Sequence, residues 1–318
     1  MHTRALTQHV KEYARQLRFD LVGVTTPDPP LHLGVFKKWL QAGHHGEMQY
    51  LATAASLARR TDPTQILPSC RSILVVGTNY LAAPEPAWPE ARIARYAKGE
   101  DYHDILVERL RNLVAFIEAE AGSAISYRIY ADTGPLLERD LAQRAGLGWI
   151  GKNTCLISPR HGSYVLLAEV LLEVALEPDS PFQVDHCGSC TRCIEACPTG
   201  CILPDRTLDA TRCISYLTIE LKGAIPPDLR AQVGDRLFGC DVCQEVCPWN
   251  RRFARPTHDP AFAPRELLVQ PSLTPFLEWD DDRLRASLRK SPLLRPRLDG
   301  LRRNASVVAG NSGSPAFV

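Results

Sequence analysis

The densest chemistry in this chain lies between His186 and Cys201, "HCGSCTRCIEACPTGC", which holds five of its eleven cysteines. Cysteine at such spacing serves disulfides, zinc or iron-sulfur clusters, and the three make different demands on the chain. Cys187, Cys190, Cys193 and Cys197-Pro198 fit C-x2-C-x2-C-x3-C-P without adjustment. In that run three thiolates wrap one iron-sulfur cube, and the fourth serves a neighbouring cluster.

A second, looser half follows. Cys213 stands alone, and "CDVCQEVCP" then supplies Cys240, Cys243 and Cys247-Pro248. The same crossover assigns Cys187, Cys190, Cys193 and Cys247 to one [4Fe-4S] cluster, and Cys197, Cys213, Cys240 and Cys243 to another. Zinc is the competing reading, because C-x2-C pairs also build zinc ribbons. Zinc sites, however, do not ask twice for the x3-C-P arm. One cluster suffices as a staple, so two in proximity imply a wire. Of the remaining cysteines, Cys70 and Cys155 abut apolar strands, where a free thiol acts as a small hydrophobe. Cys201 sits close to a cluster, but the ligand count is already filled.

A wire needs a destination. In "YADTGPLLER", Asp132 stands at the end of a strand just before a helix. A carboxylate there is either a helix cap or, if burial raises its pKa, a general acid. The glycines of "GLGWIGKN" let backbone approach a large flat ligand, although no Gly-x-Gly-x-x-Gly fingerprint for a dinucleotide is present.

The elements that must position these residues can be read from periodicity. Leu6, Val10, Tyr13 and Leu17 make one helical stripe, and "FDLVGVT" then reads as a buried strand. "SILVVGTNY" is strand-like, and residues 103–121 are helical with Leu106, Leu110, Leu113 and Ile117 aligned. "ISYRIYADT" reads as a strand, "PLLERDLAQRAG" as a helix opened by Pro135 and closed near Gly146, and "SYVLLAEVLLEV" as a further strand. This alternation suggests an α/β layer domain over residues 1–176. Residues 177–250 are short segments dense in Cys and Pro, with little room for an apolar core, so metal is expected to help hold them. Residues 251–318 read as Pro-rich connections and a basic, mainly helical segment.

At 318 residues, with 45% apolar and 23% charged residues, the chain has an ordinary globular composition. "MHTRALTQHVKEYARQ" lacks the apolar stretch of a signal peptide, and no apolar run approaches the roughly 18 residues of a membrane span. A cytoplasmic protein is expected, in which reduced thiols favour metal ligation. The formal net charge of +1 hides a basic run: Arg283, Arg285, Arg289, Lys290, Arg295, Arg297, Arg302 and Arg303 against Asp299 alone. It is either a solvated helix face or a phosphate-binding surface.

Taken in order, "GEMQYLA" (46–52), "ARYAKGEDYH" (94–103), "YADTGPLLER" (130–139), "GWIGKNTCLISPRHGSY" (148–164), the double cysteine run, "RCISYLTIELKGAIP" (212–226) and "GCDVCQEVCPWN" (239–250) span nearly the whole chain. Together they resemble the epoxyqueuosine reductases, the last enzymes of queuosine synthesis in tRNA, which are related to reductive dehalogenases. The resemblance implies a nitroreductase-like cobalamin-binding domain, a bacterial-ferredoxin-like domain with two [4Fe-4S] clusters and a short helical, HEAT-like C-terminal segment. It makes Asp132 the proton donor. It points to Arg60, Tyr96, His103, Lys152, Asn153, Thr154, Ser158, Ser163, Ser215 and Tyr216 for cobalamin, and to Lys222, Asn250, Arg251, Arg252, Arg302 and Asn304 for tRNA.

The implied partners are a tRNA carrying epoxyqueuosine in its anticodon loop and a low-potential donor of the reduced ferredoxin or flavodoxin type; a monomer is expected. Longer members continue into helical repeats, whereas this chain ends soon after what would be the first. Two other classes remain at this point. A corrinoid reductive dehalogenase would use the same cofactors but usually carries a twin-arginine leader, and a plain electron carrier leaves the first domain unexplained.

Overall fold

The computed structural model describes residues 3–82 and 90–313, so the extreme ends of the expected first and last segments lie outside the described residues. Helix α1 (Thr3–Gln16) buries Leu6, Val10 and Ala14, which helical periodicity puts on one face. Strands β1 (Leu21–Thr25) and β2 (Ser72–Asn79) follow, then helix α2 (Tyr102–Ala121), strand β3 (Tyr127–Tyr130), helix α3 (Glu138–Arg144) and strand β4 (Val165–Leu172). Asp101 caps α2 by accepting from the His103 N–H, and Gly122 ends it in the left-handed conformation at φ 70°.

The four strands pair in the order β1-β2-β4-β3, antiparallel throughout. The alternation of helix and strand therefore does not reflect parallel crossovers. On one face Leu74, Val76, Ala168, Val170 and Leu172 pack against α1 and α2. On the other, Ile73, Val75 and Leu171 pack against Leu136, Leu141, Ala142 and Ala145. With helices on both faces, every residue of β2 is buried, which accounts for its unbroken apolar run.

The helix expected from Pro135 begins three residues later, at Glu138. Leu137 has φ −97° and ψ 74°, outside the helical region, and Leu136 is turned into the core. The chain uses residues 131–137 to double back: Asp132 takes φ 59°, and Gly134 lies so close to Tyr130 that a Cβ would meet the ring at 2.5 Å. Tertiary packing here overrides proline's preference for the first helical position.

The cysteine-rich segment is better packed than its composition suggests. Ala210, Tyr216, Leu217, Ile225, Leu229 and Val233 form a core that also takes in Trp39 and Met48 from the first segment. Arg92–Ile93 pairs in parallel with Arg236–Phe238, joining the same two regions. Helix α4 (Arg297–Ser312) then buries Leu298, Leu301, Ala305 and Val308 against Leu237, Phe238, Phe276 and Leu288. Apolar packing thus joins all three segments. Among the described residues no helix is long and apolar enough to cross a membrane.

Candidate redox active site

Cys187, Cys190, Cys193 and Cys247, from two distant stretches of chain, line one cavity of about 150 Å³. Burial, and then the neighbouring Cys187 and Cys190, push the Cys193 and Cys247 thiols up. Around them stands an apolar shell. Trp149 donates its indole N–H to Cys187 Sγ at 3.5 Å, and the Trp149 and Trp249 rings meet edge to face at 4.9 Å. Such a shell controls solvent access and hence reduction potential. The second set gathers in the same crossed way: burial and the nearby Cys213 raise Cys240, and Cys213 also faces Cys197. Among the described residues no three His, Cys, Asp or Glu side chains are arranged for a single metal ion; four thiols around a cavity suit a multi-iron cluster.

The spare thiols are not equivalent. Cys70 stays in the apolar core, and burial pushes its thiol up to about 11. Cys155, expected as a similar core residue, instead hydrogen-bonds with Cys243 of the second set. Cys201 lies 3.4 Å from Cys197, sulfur to sulfur, and also bonds Cys213.

Asp132 leaves strand β3 in the left-handed region, φ 59°, where a non-glycine residue is strained and Asp is among the better tolerated. Its side chain is 62% exposed. Oδ2 accepts a 2.6 Å hydrogen bond from the Tyr102 hydroxyl and lies 3.9 Å from His103 Nε2. The other ring nitrogen of His103 is held by Asp101 at 2.7 Å. Burial, followed by the charge of Asp132, drives the Tyr102 hydroxyl far above the ordinary tyrosine range, so Tyr102 remains a donor. Tyr96 meets Tyr102 edge-on at 5.9 Å. Arg60 reaches the Gly134 carbonyl at 3.4 Å from behind.

From α3, whose Glu138 accepts the Asp132 N–H, a short series of contacts leads to the cysteine sets. Arg139, beside Glu138 at the start of α3, donates to the Thr154 carbonyl at 2.6 Å. In the same loop Asn153 donates to the Cys243 carbonyl at 3.4 Å, and Lys152 Nζ to the Gly188 and Cys190 carbonyls at 2.7 and 3.0 Å. The loop between β3 and β4 therefore touches both cysteine sets and the acid wall.

The other residues expected at cobalamin fall into two groups. Tyr96, His103, Thr154 and Ser215 are partly exposed, whereas Arg60, Asn153, Ser158, Ser163 and Tyr216 are buried. Ser163 donates to Gln244 at 2.9 Å, and the Tyr216 hydroxyl accepts from the Glu47 N–H at 2.8 Å. Of the residues expected at tRNA, Lys222, Arg251 and Arg252 are exposed. Asn250 and Asn304 are enclosed. Asn250 is buried and its amide donates to Ser163 and the Gln244 carbonyl. Asn304 is 0% exposed and donates to the Thr218 and Leu237 carbonyls. Arg302 is occupied by the Phe276 and Trp279 carbonyls and Asp281.

Within the basic run, Arg295 pairs with Glu220 and Arg303 donates to the Leu217, Leu221 and Gly223 carbonyls. Part of that run is structural. Residues the sequence did not single out are Tyr102, Glu138 and Glu169; only Tyr102, inside "GEDYH" beside His103, carried a signal.

An acid-bearing layered domain joined to two four-cysteine sets defines an iron-sulfur oxidoreductase, and residues 186–250 match the family model of the 4Fe-4S double cluster binding domain. Residues 60–133 match the model described as "Epoxyqueuosine reductase QueG, DUF1730". The chain belongs to the epoxyqueuosine reductase family. The epoxyqueuosine reductase of Pseudomonas aeruginosa is 40% identical over 97% of this chain and 86% of its own, and that of Escherichia coli 38% over 96% and 81%. A crystal structure of epoxyqueuosine reductase with an epoxyqueuosine-modified tRNA-Tyr stem loop matches at TM-score 0.89 and 31% identity, covering 98% of this chain and 83% of that one. The Bacillus subtilis reductase, in a structure described as having its catalytic aspartate loop swung out of the active site, matches at TM-score 0.87 and 31% identity, covering 98% and 83%.

Proposed function

We propose that this chain reduces epoxyqueuosine to queuosine at the wobble position of a tRNA anticodon, with Asp132 as the proton donor to the departing oxygen. The observation that carries the reading is the placement of Asp132: exposed, held by Tyr102, and with its N–H on Glu138, whose neighbour Arg139 holds the 152–155 loop that touches both cysteine sets. The reaction takes an epoxide, two electrons and two protons to an alkene and water. Cys187, Cys190, Cys193 and Cys247 would hold one [4Fe-4S] cluster, and Cys197, Cys213, Cys240 and Cys243 the other; such clusters relay single electrons from a reduced ferredoxin or flavodoxin type donor.

Cobalamin, when bound, supplies the low-potential electrons at the substrate. The wall around Asp132 suits a broad amphipathic ligand, since Tyr50 is 51% exposed there and Tyr96, His103 and Thr154 present aromatic and polar atoms. Tyr96, His103, Thr154 and Ser215 would line that ligand. Arg60, Asn153, Ser158, Ser163 and Tyr216 would support them from inside, with Lys152 fixing the cluster loop. The reading keeps residues 1–176 as a nitroreductase-like cobalamin domain, 177–250 as the electron-transfer domain and 251–318, HEAT-like in its last helix, as tRNA support.

In the ground state Tyr102 holds the Asp132 carboxyl towards the open side. There Asp132 donates its proton to the epoxide oxygen, which otherwise would leave as a poor alkoxide; general acid help of this kind is worth about 10²- to 10⁴-fold. An anticodon base suits this wall, because a single-stranded base is splayed out without breaking a duplex. Lys222, Arg251 and Arg252 would neutralise its flanking phosphates. Incubating epoxyqueuosine tRNA with reduced, cobalamin-loaded protein should convert epoxyqueuosine to queuosine by nucleoside mass spectrometry. Unchanged epoxyqueuosine in that assay would refute the function.

A further inference from the structure

Two carboxyl groups lie behind Asp132, and the reaction proposed above gives neither a task. Glu169 sits in the middle of β4, paired with Val75 of β2 on one side and Tyr130 of β3 on the other. It is 0% exposed, and neither of its carboxyl oxygens has a hydrogen-bond partner. Its side chain points to the α3 face of the sheet, the face of its neighbours Val75 and Leu171. Glu138 opens α3, its Oε1 enclosed and unpartnered. Its carboxyl accepts the backbone N–H of Asp132. The two acids feel one another and both feel Asp132.

Such a pair is costly. An ionised carboxylate buried without partners loses several kcal/mol of hydration, so it is kept neutral instead. A packed core gains nothing from two acids where Leu or Gln would fit. Their position against the one exposed acid of the site, however, matches a requirement of the chemistry. Opening an epoxide to an alkene and water consumes two protons, and one carboxyl holds one. In the free chain water reaches Asp132; a nucleotide seated on it would displace that water.

We propose that Glu138, backed by Glu169, is the store from which Asp132 takes the second proton of the reduction. After Asp132 has protonated the oxygen, the Glu138 carboxyl passes its proton to the Asp132 carboxylate: one O–H bond breaks, one forms, and the negative charge moves to Glu138. That charge then sits beside Arg139 and Arg60, which favour it, and is replenished from solvent once product leaves. The groups facing Glu138 are Asp132 on the turn, Arg139 on its own helix, Arg60 on the helix Ala54–Thr61, Tyr102 on α2 and Glu169 on β4. Burial first, and then the Asp132 charge, push the Glu138 carboxyl up to about 8. Burial likewise drives Glu169 well above the carboxylate range. Glu138 is therefore loaded at neutral pH and empty on the alkaline side of about 8. Glu138 acts through Asp132 and is a positioning and proton-supplying residue.

The inference rests on the proposed reduction, so its test has one arm independent of turnover. Infrared spectra of the cluster-loaded protein, with and without ¹³C-labelled glutamate, are compared for the parent and Glu138→Gln. A protonated-carboxyl band that fades near pH 8 in the parent and is missing in Glu138→Gln is expected. In the second arm, turnover of epoxyqueuosine tRNA should fall about 10²-fold in Glu138→Gln, the low end for general acid help, and lose its alkaline limb, with the cluster spectrum unchanged. Glu138→Asp, read alongside in case the amide does not fold, keeps a limb and loses rate. Parental turnover with the limb intact in Glu138→Gln, or no titrating band in the parent, overturns the proposal. Failure of the parent to convert epoxyqueuosine at all, with the band present, overturns the reaction and the proton's destination together but leaves the stored proton itself established.

Discussion

Removing the Tyr102 hydroxyl tests whether Asp132 works as a held acid. The hydroxyl sits 2.6 Å from Asp132 Oδ2 and Tyr102 is 5% exposed, so Tyr102→Phe removes a fixed donor from the wall and leaves the exposed carboxyl to water, which does not hold its direction. A hydrogen bond to the protonated, neutral carboxyl is worth about 0.5–1.5 kcal/mol. At about 1.4 kcal/mol per tenfold this corresponds to roughly a 2- to 10-fold slower step if the bond is needed to aim the carboxyl. The assay is single-turnover conversion of an epoxyqueuosine stem loop, read by nucleoside mass spectrometry under saturating reductant. Asp132→Asn alone should lose about 10²- to 10⁴-fold. Because Tyr102 acts through Asp132, the double variant should be no slower than Asp132→Asn, the non-additivity expected of contacting residues. If Tyr102→Phe slowed Asp132→Asn by the same factor as it slows the parent, Tyr102 would have an independent role and the reasoning would be wrong.

The remaining predictions concern the sulfur, the core and the tRNA surface. Cys193→Ser should lower bound iron from roughly eight to about four per chain by chemical iron assay, whereas Cys201→Ser should retain roughly eight. Asn304→Ala strips the partner from two fully buried carbonyls. It should lose about 2–4 kcal/mol of stability, seen as a lower urea midpoint at unchanged slope. The salt dependence of tRNA binding should be unaltered by that change. Replacing Arg251 and Arg252 together by Ala should make log K against log salt shallower by about 1–2, because each phosphate that is no longer neutralised keeps its counterion; an unchanged slope would take them off the tRNA surface.

How much was legible beforehand depends on whether the signal was local. The ferredoxin spacing of Cys187 to Cys197 is local, and so are the periodicities that gave α1, α2 and β2. Pro135 misled because its preference for opening a helix is a local rule, and Leu136 and Gly134 answer instead to the core and to Tyr130. The basic run of residues 283–303 read as a candidate nucleic-acid surface, yet Arg295 and Arg303 are occupied by Glu220 and by backbone carbonyls from a segment some eighty positions earlier. Asn304 had the residue type of a phosphate contact and the burial of a core residue. No pattern within the chain distinguishes these, since the partner lies on another element.

By itself the sequence determined the electron chemistry. Cysteine type and spacing announce a double cluster, because Cys187, Cys190 and Cys193 sit on one short loop that carries its own geometry, while the fold brings Cys247 to them and Cys197 and Cys213 to Cys240 and Cys243. The tertiary structure alone decided what surrounds the proton chemistry. Tyr102, Glu138 and Glu169 come from a helix, a helix start and a central strand, with no common spacing, and acquire their properties only by enclosure behind the exposed Asp132. An acid's readiness to hold a proton depends on desolvation and neighbouring charge, and both exist only after the sheet and its helices have closed around it.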